Sequence, residues 1–220
     1  MISSPVPVMH RLRGAATFGA EFIRANRSTG AILPSGARLA TALTRHVRQP
    51  PEPHAAGGRA FLEVGPGTGA VTRYITPCMG PLDRLDLVEA NPRLAQHLEE
   101  LLGGDPSLAD RTRLWVSPVE ELELEPYDAI VAGLPFANFD PELVEVIFTR
   151  LLGALKPGGK LSFFGYTGAT VVRHLTRSSS MARTQDVLRD IIVRHQVSRE
   201  LVTWNVPPAR VHHLSATTPS

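Results

Sequence analysis

The spacing of apolar residues changes twice along this chain. Between residues 15 and 26, Ala15, Phe18, Phe22 and Ile23 share one helical stripe, with Arg24 and Arg27 off it. Residues 29–34 interrupt that period. A short second helix is expected after Ser35, with Leu39, Ala42, Leu43 and Val47 on one face. Three prolines in residues 49–54, then Gly57 and Gly58, read as a linker. From residue 60 onward, short apolar runs alternate with helical patterns. Strands are expected at 60–64, 85–89, 114–116, 127–132 and 160–166, with two more near 199–205 and 209–215. Leu94, Leu98, Leu101 and Leu102 mark a helix over 92–102. The clearest helix covers 141–155, where Leu143, Val144, Ile147, Phe148, Leu151, Leu152 and Leu155 form the buried stripe. Asp140 is its expected N-cap, and Pro141 suits the first turn. One more helix is expected over about 184–196. Such alternation builds a parallel α/β sheet with helices on both faces. Only a Pro207-Pro208 turn separates the last two strands, so they are expected to pair antiparallel at the sheet edge.

Composition narrows the class. A chain of 220 residues with 43% apolar content suits one α/β body, 57–220, preceded by a helical arm and linker, 1–56. No run of about 18 apolar residues occurs, so no membrane-spanning helix is expected. Pro5, Pro7, His10, Arg11 and Arg13 interrupt any signal-peptide core, and the single Cys78 excludes an internal disulfide. A cytoplasmic monomer is expected. No Cys/His/Asp cluster has metal-ligand spacing, so no metal is expected, and no Ser-His-Asp set suggests itself. The net charge of +2 hides an asymmetry. Residues 1–50 hold seven arginines against Glu21 alone, while the rest of the chain holds 16 basic and 20 acidic groups. Either that arm is a solvated face, or it meets an anionic partner, nucleic acid or an acidic lipid surface.

The stretch Glu63-Val64-Gly65-Pro66-Gly67-Thr68-Gly69 follows an expected strand and precedes an expected helix, the setting of a nucleotide-binding turn. Glycine lets the backbone turn tightly and lets a ligand approach without a Cβ in the way. Glu89 ends the next strand, 20 residues after Gly69, where an acid accepts hydrogen bonds from both hydroxyls of a ribose; Ala90 and Asn91 follow it. A dinucleotide and S-adenosylmethionine are the competing ligands. Glu63 would repel a pyrophosphate, but suits the cationic amino-acid end of S-adenosylmethionine. No Lys-Ser/Thr pair follows the loop, which excludes a P-loop.

With these residues in view, the chain resembles the class I methyltransferases. Phe61 through Gly69 is similar to their first motif, Val88-Glu89-Ala90-Asn91-Pro92 to their ribose-binding motif, and Leu155 through Leu161 to the turn before their fifth strand. The resemblance implies a Rossmann-like, seven-stranded, mostly parallel sheet with an antiparallel last strand, and an N-terminal amphipathic extension. It implies S-adenosylmethionine as cofactor, with S-adenosylhomocysteine as product. Three further stretches, Arg27–Ser35, Ala132–Phe139 and Asn205–Val211, resemble the bacterial phospholipid N-methyltransferases. Those enzymes methylate phosphatidylethanolamine stepwise to phosphatidylcholine, and relatives methylate ornithine lipids. Gly133-Leu134-Pro135-Phe136 also resembles the Asn-Leu-Pro-Phe/Tyr motif of ribosomal RNA adenine dimethyltransferases. Gly133 replaces the Asn there, and no separate RNA-contacting domain follows, so nucleic acid is not the expected partner. Where the superfamily often has an acid for the adenine amino group, this chain has Pro118; Ser117, Val119, Glu120 or a backbone carbonyl are left to contact adenine.

The resemblance also implies roles at the acceptor. Methyl transfer to a neutral amine needs alignment more than acid–base power, and alignment supplies on the order of 7 kcal/mol. Carbonyls around Gly133, Leu134 and Pro135 are expected to accept hydrogen bonds from the amine. Phe136 and Phe139 are expected to wall the methyl group, unless they are core packing. Tyr166 is expected to orient the headgroup. Arg173, Arg177 and Arg183, around Ser178-Ser179-Ser180, and Arg210, beside His212 and His213, are candidates for holding a phosphodiester. In the arm, Phe18, Phe22 and Ile23 with Arg24 are expected to lie in the interface of an anionic membrane, placing the protein peripherally on the inner face of the cytoplasmic membrane.

Overall fold

A computed structural model describes residues 34–49, 57–167, 179–205 and 208–216. The expected helix over 15–26, with Phe18, Phe22, Ile23 and Arg24, and the arginines Arg173 and Arg177 lie outside the described residues.

Among the described residues helix α1, Pro34–Leu43, comes first. Strand β1, Ala60–Val64, leads through the glycine turn into a single helical turn, α2, Thr72–Ile75. Pro77, in the tight 3-10 turn that follows, has no N–H to carry the helix on. Then come β2, Arg84–Val88, α3, Pro92–Gly103, and the short α4, Pro106–Ala109. They are followed by β3, Thr112–Trp115, β4, Tyr127–Ala132, and α5, Pro141–Gly153. The chain closes with β5, Leu155–Tyr166, α6, Ser179–His195, β6, Gln196–Val202, and β7, Ala209–Leu214.

The seven strands form one sheet in the order β3-β2-β1-β4-β5-β7-β6. The first five are parallel, and β7 runs antiparallel to both neighbours. The last two strands pair antiparallel at the sheet edge as expected, with β7 between β5 and β6. The last helix ends one residue sooner than the periodicity implies. β6 therefore begins at Gln196, and residues 203–205 turn instead of extending.

Each face of the sheet carries its own core. On one, α5 buries Val144, Ile147, Phe148 and Leu151, all no more than 2% exposed, against Leu62, Ile130 and Phe163. Each such side chain contributes roughly 1.5–3 kcal/mol by leaving water. Asp140 sits at the N-cap of α5 but makes no capping bond with its side chain; its backbone carbonyl accepts from Val144 N–H at 3.1 Å. On the other face, Leu43 and Val47 of the α1 region pack with Phe61, Leu85, Leu87 and Val211. The second helix of the expected arm is thus part of the folded body.

Candidate active site

A strand buried on both faces reads as a continuous apolar run, and β1 does so except at Glu63, β2 except at Asp86 and its half-buried first residue, Arg84. Asp86 in β2, 1% exposed, receives Arg113 through Nε and Nη2, both at 2.8 Å, and the Tyr127 hydroxyl at 2.7 Å. It is a structural acid, paired in place. Glu63 in β1 is also 1% exposed, but what meets it is the Thr72 hydroxyl, donating at 2.7 Å from the first residue of α2. Burial, reinforced by the nearby Glu89 carboxylate, pushes the Glu63 carboxyl up to about 8 against the opposing effect of Thr72. The group is therefore mostly neutral near pH 7 and is poised to ionise when a cation arrives. A buried acid of this kind, at a strand end beside a glycine turn, marks a functional site.

The turn takes the shape its glycines allow. Gly65, Gly67 and Gly69 have φ of 70°, 60° and 75°. Glu89, just beyond β2 and 7% exposed, holds the turn from below. One of its oxygens accepts from Gly67 N–H at 3.0 Å, and the other from Asn91 N–H at 2.9 Å. Burial raises its carboxyl above the usual range despite those two donors. A carboxylate oxygen has two acceptor sites, so both oxygens keep capacity for a diol. Asn91 caps α3, its side chain accepting from Arg93 N–H at 3.0 Å.

The loop after β4 closes on this turn. Gly133 N–H donates to Val64 C=O at 2.8 Å, and a Cβ on Gly133 would lie 2.8 Å from Gly65 C=O. Leu134 covers the turn from above: a Cβ on Gly65 would meet its Cδ2 at 2.6 Å. Gly65, Gly133, Leu134, Glu63 and Glu89 thus come together at the carboxyl ends of β1, β2 and β4, where open α/β sheets bind their ligands.

Other expected residues fall elsewhere. Phe136 is 2% exposed and packs in the core against Phe148 and Phe163, with ring centroids 4.5 and 5.7 Å away. Phe139 is half-buried, edge-on to Phe136 at 6.0 Å. Val119 is buried in the core beside Val88, which leaves only its backbone for adenine. Glu120 is half-buried, its carboxyl raised by burial. Ser117 directs its hydroxyl to Pro118 C=O at 3.2 Å. Tyr166 ends β5, its ring edge-on to Phe164 at 5.3 Å. Arg183 is paired with Glu142 of α5. Arg210 stands half-buried on β7, opposite Gly165.

The two histidines are no phosphate clamp. His212 stacks on Phe163 and is held down to about 4 by burial and by Arg210 and Arg199. His213, fully buried, bonds Ser162 Oγ at 2.8 Å and Glu200 Oε1 at 3.2 Å. Sequence reasoning passed over Thr72. Its signal was the placement of a hydroxyl residue at the first helical position, three after the last glycine.

No family model matches the chain. Over 149 residues it is 26% identical to the ornithine lipid N-methyltransferase of Singulisphaera acidiphila, covering 64% of this chain and 72% of that one. Over 111 residues it is 31% identical to malonyl-[acyl-carrier protein] O-methyltransferase 1 of Ilyobacter polytropus, covering 50% of this chain and 39% of that one. Among solved structures, the O-methyltransferase TomG of Streptomyces achromogenes, in complex with S-adenosylmethionine, superposes with a TM-score of 0.62 at 16% identity, over 91% of this chain and 89% of that one. The O-methyltransferase of Bacillus cereus, in complex with S-adenosylhomocysteine, gives 0.61 at 14% identity, over 92% and 90%. Identities this low carry the fold and leave the acceptor open. The sheet order, the glycine turn with its two acids, and these relatives place the chain in the class I S-adenosylmethionine-dependent methyltransferase superfamily.

Proposed function

We propose that this methyltransferase transfers methyl groups from S-adenosylmethionine to the amine of a membrane lipid headgroup, phosphatidylethanolamine and its mono- and dimethylated forms, with an ornithine lipid as the alternative acceptor. When bound, the cofactor supplies an electrophilic methyl on a sulfonium. Glu89 receives the ribose hydroxyls, the Gly65–Gly69 turn admits the ligand, and Glu63 ionises to balance its cationic end. The junction of the two loops carries the acceptor reading: Gly133 bonded to Val64 at 2.8 Å, and Leu134 laid over Gly65. That junction offers carbonyl oxygens and apolar surface. It orients an amine and sheds its water rather than activating an alcohol with a strong base. The ornithine lipid N-methyltransferase likeness supports a lipid amine.

Incubation with methyl-labelled S-adenosylmethionine and either phosphatidylethanolamine vesicles, ornithine lipid, RNA or a malonyl carrier protein tests the acceptor. Label is expected in lipid; label confined to RNA or to the malonyl carboxyl would sink the proposal. For the cofactor, Glu89→Ala is expected to weaken S-adenosylmethionine binding about 100-fold by calorimetry, two charge-assisted hydrogen bonds at about 1.5 kcal/mol each. Unchanged affinity would displace the ribose from Glu89.

A further inference from the structure

The edge of the sheet carries a surface that methyl transfer does not use. Among the described residues β6 is bonded on one side only, to β7, and Val197, Leu201 and Trp204 are 52%, 56% and 75% exposed. Beside it, the α1 region presents Arg38, Arg45 and Arg48, which with Leu201 and Trp204 line an open groove of about 650 Å³. The Arg38 guanidinium lies over the Trp204 ring, 5.7 Å from its centroid. Glu200 is the acid that lines the groove, and it is already shared by Arg45 at 2.9 Å and His213 at 3.2 Å.

The mixture of groups selects the occupant. A second copy docked about a two-fold axis would set arginines against arginines. A nucleic acid would satisfy the cations but not the exposed Leu201. A bilayer with anionic lipids satisfies both, with tryptophan at headgroup level and arginines on phosphates. We propose that this edge docks on an anionic phospholipid bilayer, Trp204 and Leu201 entering the interface and Arg38 and Arg48 meeting lipid phosphates. The proposal deepens the lipid-acceptor reading and rests on it for the choice of occupant.

Strand direction gives the docking a consequence. β6 runs parallel to β5 because β7 reverses between them. Tyr166, Ala209 and Val202 share one row, three residues beyond the row of Val64, Ala132 and Phe163. The docking edge therefore lies at the same end of the sheet as Gly65 and Gly133, and contact there brings headgroups to the methyl-donor end.

The chain has two tryptophans, so the full-length Trp115→Phe variant leaves Trp204 as sole reporter. Its emission is expected to shift to the blue with phosphatidylcholine–phosphatidylglycerol vesicles and not with phosphatidylcholine alone. Arg38→Gln with Arg48→Gln is expected to weaken co-sedimentation about 30-fold, about fivefold per arginine near the surface. Retained S-adenosylmethionine affinity in that variant reports an intact fold. Trp204 emission that stays unshifted while the protein sediments, undiminished binding by the double variant, or binding to RNA in place of vesicles would each overturn the proposal. Phosphatidylethanolamine dispersed in neutral detergent separates the two readings. If methyl transfer occurs there while the protein fails to dock on phosphatidylglycerol-containing vesicles, the surface is wrong and the acceptor stands. Intact docking with no lipid methylated supports the surface and sinks the acceptor.

Discussion

Glu63 and Asp86 show how much a single neighbour decides. Both acids are 1% exposed on adjacent parallel strands, yet among the described residues only Asp86 is met by a guanidinium. Because the Glu63 carboxyl titrates near 8 in the fold and in the ordinary carboxylate range when unfolded, the unfolded chain loses its proton first as pH rises. Stability from this group is full below the unfolded value and is lost as pH rises through the folded value, at about 1.4 kcal/mol per pH unit between them. Glu63→Gln removes the titration, so its urea unfolding free energy is expected to stay flatter than wild type from pH 5 to 8. An equal decline in both proteins would refute the buried neutral acid. The same linkage makes cationic cofactor binding tighten as pH climbs toward 8, since the ligand favours the ionised form. The sequence displayed both acids but not their difference, because Thr72, Arg113 and Tyr127 reach them only through the fold.

At the scale of elements, the glycine turn and α3 are fitted to each other. Gly69 has φ of 75°, and a Cβ there would lie 2.4 Å from Leu101 Cδ2 and 3.4 Å from Leu98 Cδ2. Gly69→Ala therefore carries two penalties, the left-handed backbone at roughly 1–2 kcal/mol and the contact with α3. Its loss of stability in urea is expected to fall between about 1 and 3 kcal/mol, with weaker S-adenosylmethionine binding. Adding Leu101→Ala removes the contact and leaves the backbone strain, so it recovers only part of the loss; full recovery would refute the strain. The turn, five strands and the helices over 92–102 and 141–155 were legible because each pairs a clean period with its own punctuation. The insertion of β7 was not legible. Strand alternation says that two strands pair, and it leaves open which of them lies next to β5. For Phe136 the sequence leaves two readings open, because a loop aromatic beside a motif and a core aromatic have the same local sequence; packing against Phe148 and Phe163 selects the core.

Across the whole molecule, the charge asymmetry of the chain acquires a shape. Three of the seven arginines in residues 1–50, Arg38, Arg45 and Arg48, are fixed on the body beside β6, because Leu43 and Val47 anchor their helix and the turn after it to the sheet. Deletion of residues 1–26 removes three arginines and Glu21, a net loss of two positive charges, along with those apolar side chains. Affinity for anionic vesicles is then expected to fall by at least about 30-fold, with S-adenosylmethionine affinity unchanged, since Glu63, Glu89 and the glycine turn are untouched. Combining the deletion with Arg38→Gln and Arg48→Gln is expected to add in the logarithm of affinity, because the two regions meet separate lipids. Raising the salt from about 0.1 M to 1 M shortens the screening length from about 10 Å to 3 Å, so both differences are expected to collapse together. A deletion that leaves vesicle affinity intact would assign all the binding to the body. A deletion that abolishes cofactor binding would show instead that the arm completes the active site.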